Sequence, residues 1–154
     1  MEILVALLIA VTPVGDVGSH ADAILAMQLP DGAIIHMEDG GQVLISPYFG
    51  NYSALGLFEA YRVTKNQKYL DGAIAWTDWY LKHVEVNGVV FDYKGTREKY
   101  ESTGKVDSTD SYPASFLICA NVRRALTGDF RFVLREQPKL FKSYRLMMST
   151  VDSD

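Results

Sequence analysis

The sequence has one cysteine in 154 residues. A single thiol excludes an internal disulfide and leaves the redox compartment open. Cys119 sits in an apolar helical run, where it is expected to be a small core residue. Metal-type motifs are also missing. The three histidines, His20, His36 and His83, are widely spaced, and no His-x-x-x-His, Cys-x-x-Cys or metal-type Asp cluster occurs. Neither a metal nor a cofactor is therefore expected. There is no phosphate-cradling glycine loop and no Gly-x-Ser-x-Gly elbow. An excess of positive charge is lacking too. Fifteen Lys and Arg against nineteen Asp and Glu give a net charge of −4. The basic residues are scattered, and Arg123-Arg124 reads as the solvated end of a helix, so no nucleic-acid partner is expected. The apolar run Ile3–Val11 is nine residues, too short to span a bilayer, and no membrane partner is expected. It fits the core of an export signal, with Val17-Gly18-Ser19 as a small-residue cleavage site. Against that, Glu2 precedes it and no Lys or Arg does. Residues 1–18 are thus either a leader or an apolar segment packed on the body, and localisation stays open between exported and cytoplasmic.

What the chain does have is a globular composition, 48% hydrophobic and 22% charged, at the length of one domain. It also has a repeat. Gly32-Ala33-Ile34-Ile35-His36 is echoed by Gly88-Val89-Val90-Phe91-Asp92, an offset of 88 − 32 = 56. Tyr61–Leu70 is echoed by Arg124–Val133, an offset of 127 − 64 = 63 at the shared threonine. Each unit reads as a β-type segment, a helix apolar on most sides, a tight break and an amphipathic helix. Expected helices run from Ser19 as N-cap to Pro30-Asp31-Gly32, from Pro47 to about Val63, and from Gln67 to His83. Two more run from Asp110 or Ser111 to Leu126 and from Asp129 to Ser149, the last kinked at Pro138. Ala33–Ile35 and Val89–Phe91 read as strands, with Gln42–Ile45 pairing back on the first, and Lys94–Thr109 as a long loop. Phe132, Val133, Leu140, Phe141, Tyr144 and Met148 are the expected core of the last helix.

Helices apolar all round should be buried and amphipathic ones should lie outside. The expected class is all-α, an α/α toroid-type hairpin repeat over 19–154, with short β-type segments between hairpins. The last residues, Val151–Asp154, stand where a third β-type segment would open, so the array is expected to be partial. An unclosed apolar flank is expected to favour self-association.

The long loops gather at one rim, at the N-termini of the inner helices. Asp107 and Asp110 there are candidate general acid and base, since glycosidic cleavage uses two carboxyls about 5–10 Å apart. The alternative for Asp110 is a helix cap. Tyr48, Tyr52 and Tyr112 are candidate sugar-stacking rings, with Phe49, Phe91 and Tyr93 nearby. Asp92, which stands where His36 stands in the first copy, is a candidate substrate ligand. Glu59, inside an apolar helix, is read as part of a buried ion pair with Arg62 or as a cavity-facing acid.

The segments Ile24–Ile34, Pro47–Leu57, Trp76-Thr77-Asp78-Trp79-Tyr80 and Asp107-Ser108-Thr109-Asp110-Ser111-Tyr112 together resemble the six-hairpin glycosidase superfamily, which includes the unsaturated glucuronyl hydrolases. The resemblance covers about residues 20–135. It implies an (α/α)6 toroid acting on glycosidic bonds of oligo- or polysaccharides, with Asp acids at the rim and about two and a half of six hairpins present. The alternative expectation is a non-catalytic hairpin module that binds a glycan or a protein partner. A lyase or isoprenoid-type toroid has little support, because no Asp-rich metal box is found.

Overall fold

The computed structural model describes residues 14–106 and 109–151. Among them the chain is mostly helical, with one small antiparallel sheet. The helices are α1 (Val14–Ala26), α2 (Pro47–Thr64), α3 (Gln67–Lys82), α4 (Ser111–Thr127) and α5 (Phe130–Val151). The strands are β1 (Met37–Asp39), β2 (Gln42–Ile45), β3 (Tyr93–Gly95) and β4 (Tyr100–Ser102), lying side by side in chain order.

The repeat holds at the level of single hydrogen bonds. Leu29 N–H donates to the Ala33 carbonyl and Gly32 N–H to the Leu29 carbonyl. Glu85, Val89 and Gly88 repeat both bonds 56 residues later. Asp31 Oδ1 accepts from Ala33 N–H as Asn87 Oδ1 accepts from Val89 N–H. Both glycines are left-handed, at φ +99° for Gly32 and +91° for Gly88. Each lies flat against the backbone of the hairpin's second helix, Gly32 on Ala75 and Gly88 on Lys142. The turns between helices also match, 63 residues apart. Lys65 and Gly128 are left-handed C-caps, and Thr64 and Thr127 each bond back to the carbonyl four residues earlier.

α2 and α4 lie side by side with their N-termini at the same end. Asn51 in the first turns of α2 bonds to Ser115 in α4, and Cys119 Sγ donates to the Asn51 carbonyl. α3 backs α2, and α5 backs α4. The two units meet through Tyr80 stacked on Phe116 at 3.8 Å, Lys139 Nζ on the Leu81 carbonyl, and Arg123. Arg123 reaches from α4 to Thr77 Oγ1 at 2.7 Å and Asp78 Oδ1 at 2.5 Å, with its guanidinium 3.9 Å from the Phe132 ring centroid. The sheet ties the units again, because β2 of the first hairpin pairs with β3 of the second.

Several expectations are corrected. α1 begins at Val14, so Ser19 lies inside the helix and is not its cap. Ala33–Ile35 and Val89–Phe91 form no ladder, apart from a lone bridge between Gln28 and Ile34. The ladders begin later, at Met37 and Tyr93. The expected long loop contains β3 and β4, three-residue strands too short to show alternation, closed by a polar turn in which Thr96 bonds to Lys99. α2 is not enclosed. Phe49, Tyr52 and Val63 are exposed on it, whereas α3, packed among α1, α2 and α4, buries Trp76, Trp79, Tyr80 and Leu81. Arg123 is buried, because Asp78, Thr77 and Phe132 come to it from other elements. Glu59 and Arg62 form an exposed pair one turn apart, a contact worth little in water. On α5, Phe132 is buried, but Phe141, Tyr144 and Met148 are exposed. Pro138 lies inside this helix.

His83, the C-cap of α3, lies against the Trp79 ring at 4.3 Å and the Tyr93 ring at 5.1 Å. Its Nδ1 faces the Trp79 carbonyl at 2.7 Å, which fixes the proton on Nδ1. Burial among the rings holds the imidazole pKa below its ordinary value, outweighing the hydrogen bond to Trp79. A native imidazole that resists protonation makes the unfolded chain the better proton acceptor. Stability should therefore be highest above the ordinary histidine range, about pH 6.5, and fall as pH drops below it. Urea midpoints at pH 7.5 and pH 5.5 should differ more in the wild type than in His83→Gln.

Candidate functional site

The first turns of α2 and α4 meet beneath the hairpins, and a buried polar network joins them. Asn51 is its centre. Indole N–H can only donate, so Trp76 Nε1 at 3.0 Å fixes Asn51 Oδ1 as the acceptor. The amide nitrogen then donates to the Tyr112 carbonyl at 3.1 Å and to Ser115 Oγ at 2.9 Å. Every hydrogen-bonding atom of the Asn51 side chain is used, as a fully buried amide requires. Trp76 can reach it only because Gly50 is a glycine: a Cβ there would lie 2.1 Å from the indole ring.

Asp92 follows the second β-type segment and is buried. Its backbone N–H donates to the Lys105 carbonyl, and its own carbonyl accepts from the N–H and hydroxyl of Thr103. That holds the residue at the base of the β3–β4 hairpin. The carboxylate accepts a 2.9 Å hydrogen bond from the Tyr112 phenol. Ser46 Oγ stands 3.3 Å from the same phenol oxygen. Since that phenol proton goes to Asp92, Ser46 is the donor of the second bond. Tyr112→Phe removes the phenol between two buried polar groups. It is expected to cost about 1–3 kcal/mol, measured by urea denaturation.

Tyrosines carry the site outward. The Tyr48 ring lies 6.4 Å from Tyr112 and 4.9 Å from Tyr52. Hydrogen bonding to Tyr48, then burial, raises the Tyr52 phenol above its ordinary pKa. Tyr52 and Phe49 are exposed. They border an open cleft of about 340 Å³ lined also by Ile34, Ile35, His36 and Ser53. His36 stacks face to face on Phe49 at 3.7 Å. Counting 63 along the helices places Phe49 at the position of Tyr112, and 56 along the β-type segments places His36 at that of Asp92. The first unit thus stacks His36 on Phe49 where the second bonds Asp92 to Tyr112.

Of the candidate residues, Tyr48, Tyr52, Asp92 and Tyr112 come together. Asp110 is exposed and caps α4, its Oδ1 accepting from Ser111 N–H at 2.6 Å, which is the alternative reading of that residue. Asp107 lies outside the described residues. Ser46, Ser115 and Trp76, which were not among the candidates, also join the network. Among the described residues no group of three or more His, Cys, Asp or Glu could hold a metal ion, and no helix is long and apolar enough to cross a membrane. No protein-family model matches the chain, and no match is found among curated proteins.

Proposed function

We propose that this is a glycoside hydrolase-like protein of the α/α toroid type that binds oligo- or polysaccharide at the rim and acts on glycosidic bonds by acid/base hydrolysis. The observation that carries the reading is the sequence of groups from Asp92 through Tyr112 and Tyr48 to the exposed Tyr52 and Phe49. Flat aromatic faces suit the C–H faces of pyranose rings, and a fixed buried carboxylate suits their hydroxyls. Hydrolysis needs a proton donor at the leaving oxygen and a second carboxylate to activate water or attack the sugar. Asp107 and Asp110, which precede α4 in the sequence, are the proposed pair, and Asp92 with the tyrosines holds the sugar. The test is reducing-end release by the purified chain over a panel of oligosaccharides that includes unsaturated uronides. Turnover is expected, with loss of at least about 100-fold in Asp107→Asn or Asp110→Asn. Turnover that survives both exchanges would remove the pair from the mechanism.

A second reading is favoured by the cap itself. Asp110 places one carboxylate oxygen on its own helix, as a purely structural residue would. On that reading the rim binds glycan without cleaving it, and the panel shows binding with no product.

A further inference from the structure

We infer that the cleft between α3 and α5 is an anion site that takes a phosphate group, free or carried by a small ester. The cleft holds about 320 Å³. Asp78, Leu81 and Lys82 line it from the last turns of α3, and Arg135, Glu136 and Lys139 line it from α5. It lies where the two units meet, and none of its residues belongs to the tyrosine rim. Each carboxylate here already has a cation. Asp78 accepts from Arg123 at 2.5 Å, and Glu136 accepts from Arg135 Nε at 2.8 Å.

Those pairs leave positive charge over. Lys82 is exposed and makes no hydrogen bond or ion pair among the described residues. Lys139 Nζ gives one of its three N–H groups to the Leu81 carbonyl at 2.7 Å, and two remain. Arg135 bonds to Glu136 through Nε, so both of its Nη groups remain. The buried Phe132 ring lies 6.0 Å from the Arg135 guanidinium, an attraction that restrains it at the cleft. Hydrogen bonding at the end of α3 does not account for these charges. The Trp79, Tyr80 and Leu81 carbonyls are met by His83 Nδ1, the His83 N–H and Lys139. Lys82 and Arg135 serve none of them. Like charges held around one cleft repel each other, and an anion relieves the repulsion. In a chain of net charge −4 this excess is local. A phosphate group brings up to two negative charges and several acceptor oxygens, which suits donors arriving from three side chains. This inference is independent of the carbohydrate reading.

The test is an NMR titration of the isotope-labelled full chain with inorganic phosphate, at constant ionic strength with chloride making up the balance. The amides of Asp78–Lys82 and Arg135–Lys139 should shift together and saturate, with a Kd of about 1 mM. Lys82→Gln with Arg135→Gln should weaken binding at least about tenfold, with the helical circular dichroism unchanged. Lys94→Gln with Lys99→Gln removes as much charge from the β3–β4 hairpin and should leave binding unchanged. Should the first variant lose its helical signal, Lys82→Gln alone should still weaken binding at least about threefold. A parallel titration with methyl phosphate separates the two sources. Tighter binding than that of inorganic phosphate marks an ester as the occupant; otherwise free phosphate is. Shifts that do not saturate, shifts spread over the whole chain, or equal affinity in the wild type and a folded cleft variant would overturn the inference.

Discussion

Trp76→Ala should be among the most damaging single exchanges in the protein, lowering the unfolding free energy by about 3–5 kcal/mol. Trp76 is fully buried, stacked on Trp79 at 4.9 Å, and fills the space over Gly50. Removing it leaves a cavity between α2 and α3 that neighbouring rings cannot close. It also takes the only indole donor from Asn51 Oδ1, and an orphaned buried acceptor adds to the loss. A domain of this size commonly has about 5–15 kcal/mol in all. At roughly 2–4 °C per kcal/mol, the thermal midpoint should fall by about 6–20 °C. Trp76→Phe separates the two contributions. It keeps most of the packing and loses the donor, so it should fall between Trp76→Ala and the wild type in a urea titration.

The second large effect is expected at the glycines that open each unit. A Cβ at Gly32 would lie 2.4 Å from the Ala75 carbonyl oxygen, and one at Gly88 would lie 2.6 Å from that of Lys142. These obstacles are helix backbone, which cannot rotate aside. Both glycines also hold positive φ, which costs an L side chain roughly 1–2 kcal/mol. With overpacking of about 1–3 kcal/mol added, Gly32→Ala and Gly88→Ala should each lose about 2–5 kcal/mol. Gly40→Ala is the control: its φ is +55° and nothing lies within 4 Å of the added Cβ. It should lose no more than the conformational part, about 1–2 kcal/mol. Equal losses at Gly32 and Gly88 would match their equivalent places in the two units. A harmless exchange at either would contradict that equivalence.

The repeat was legible in the sequence because local residues make it. Gly32 and Gly88, the Asx turns at Asp31 and Asn87, and the threonines before each helix break act on neighbours within a few residues, so a single sequence displays them. The spans of α2, α3 and α4 were legible for the same reason: Pro47 starts α2, and Gly128 ends α4. The features that escaped depend on residues distant in the chain. Arg123 looks like a surface cation until Asp78, Thr77 and Phe132 surround it. The hairpin of β3 and β4 is built from three-residue strands whose ladder depends on β2 more than on its own alternation. Which side of α5 is buried could not be read from periodicity, since α5 has two apolar lines, one on α4 and one outside. Tyr48, Tyr52, Asp92 and Tyr112, far apart in the chain, come together in the fold. The partners of Asn51 could not be read from the chain, because they lie 25, 61 and 64 residues away.

The account turns on whether the tyrosine rim holds sugar. Isothermal titration of the purified chain with oligosaccharides tests this most directly, because binding is required whether or not cleavage follows. The wild type should bind at least one member of a panel of neutral and uronic oligosaccharides. Tyr52→Ala, which removes an exposed ring and leaves the buried network intact, should weaken that binding about tenfold or more, the loss of one stacking surface worth about 1.4 kcal/mol. No binding across the panel, or binding unchanged in Tyr52→Ala, would contradict the account.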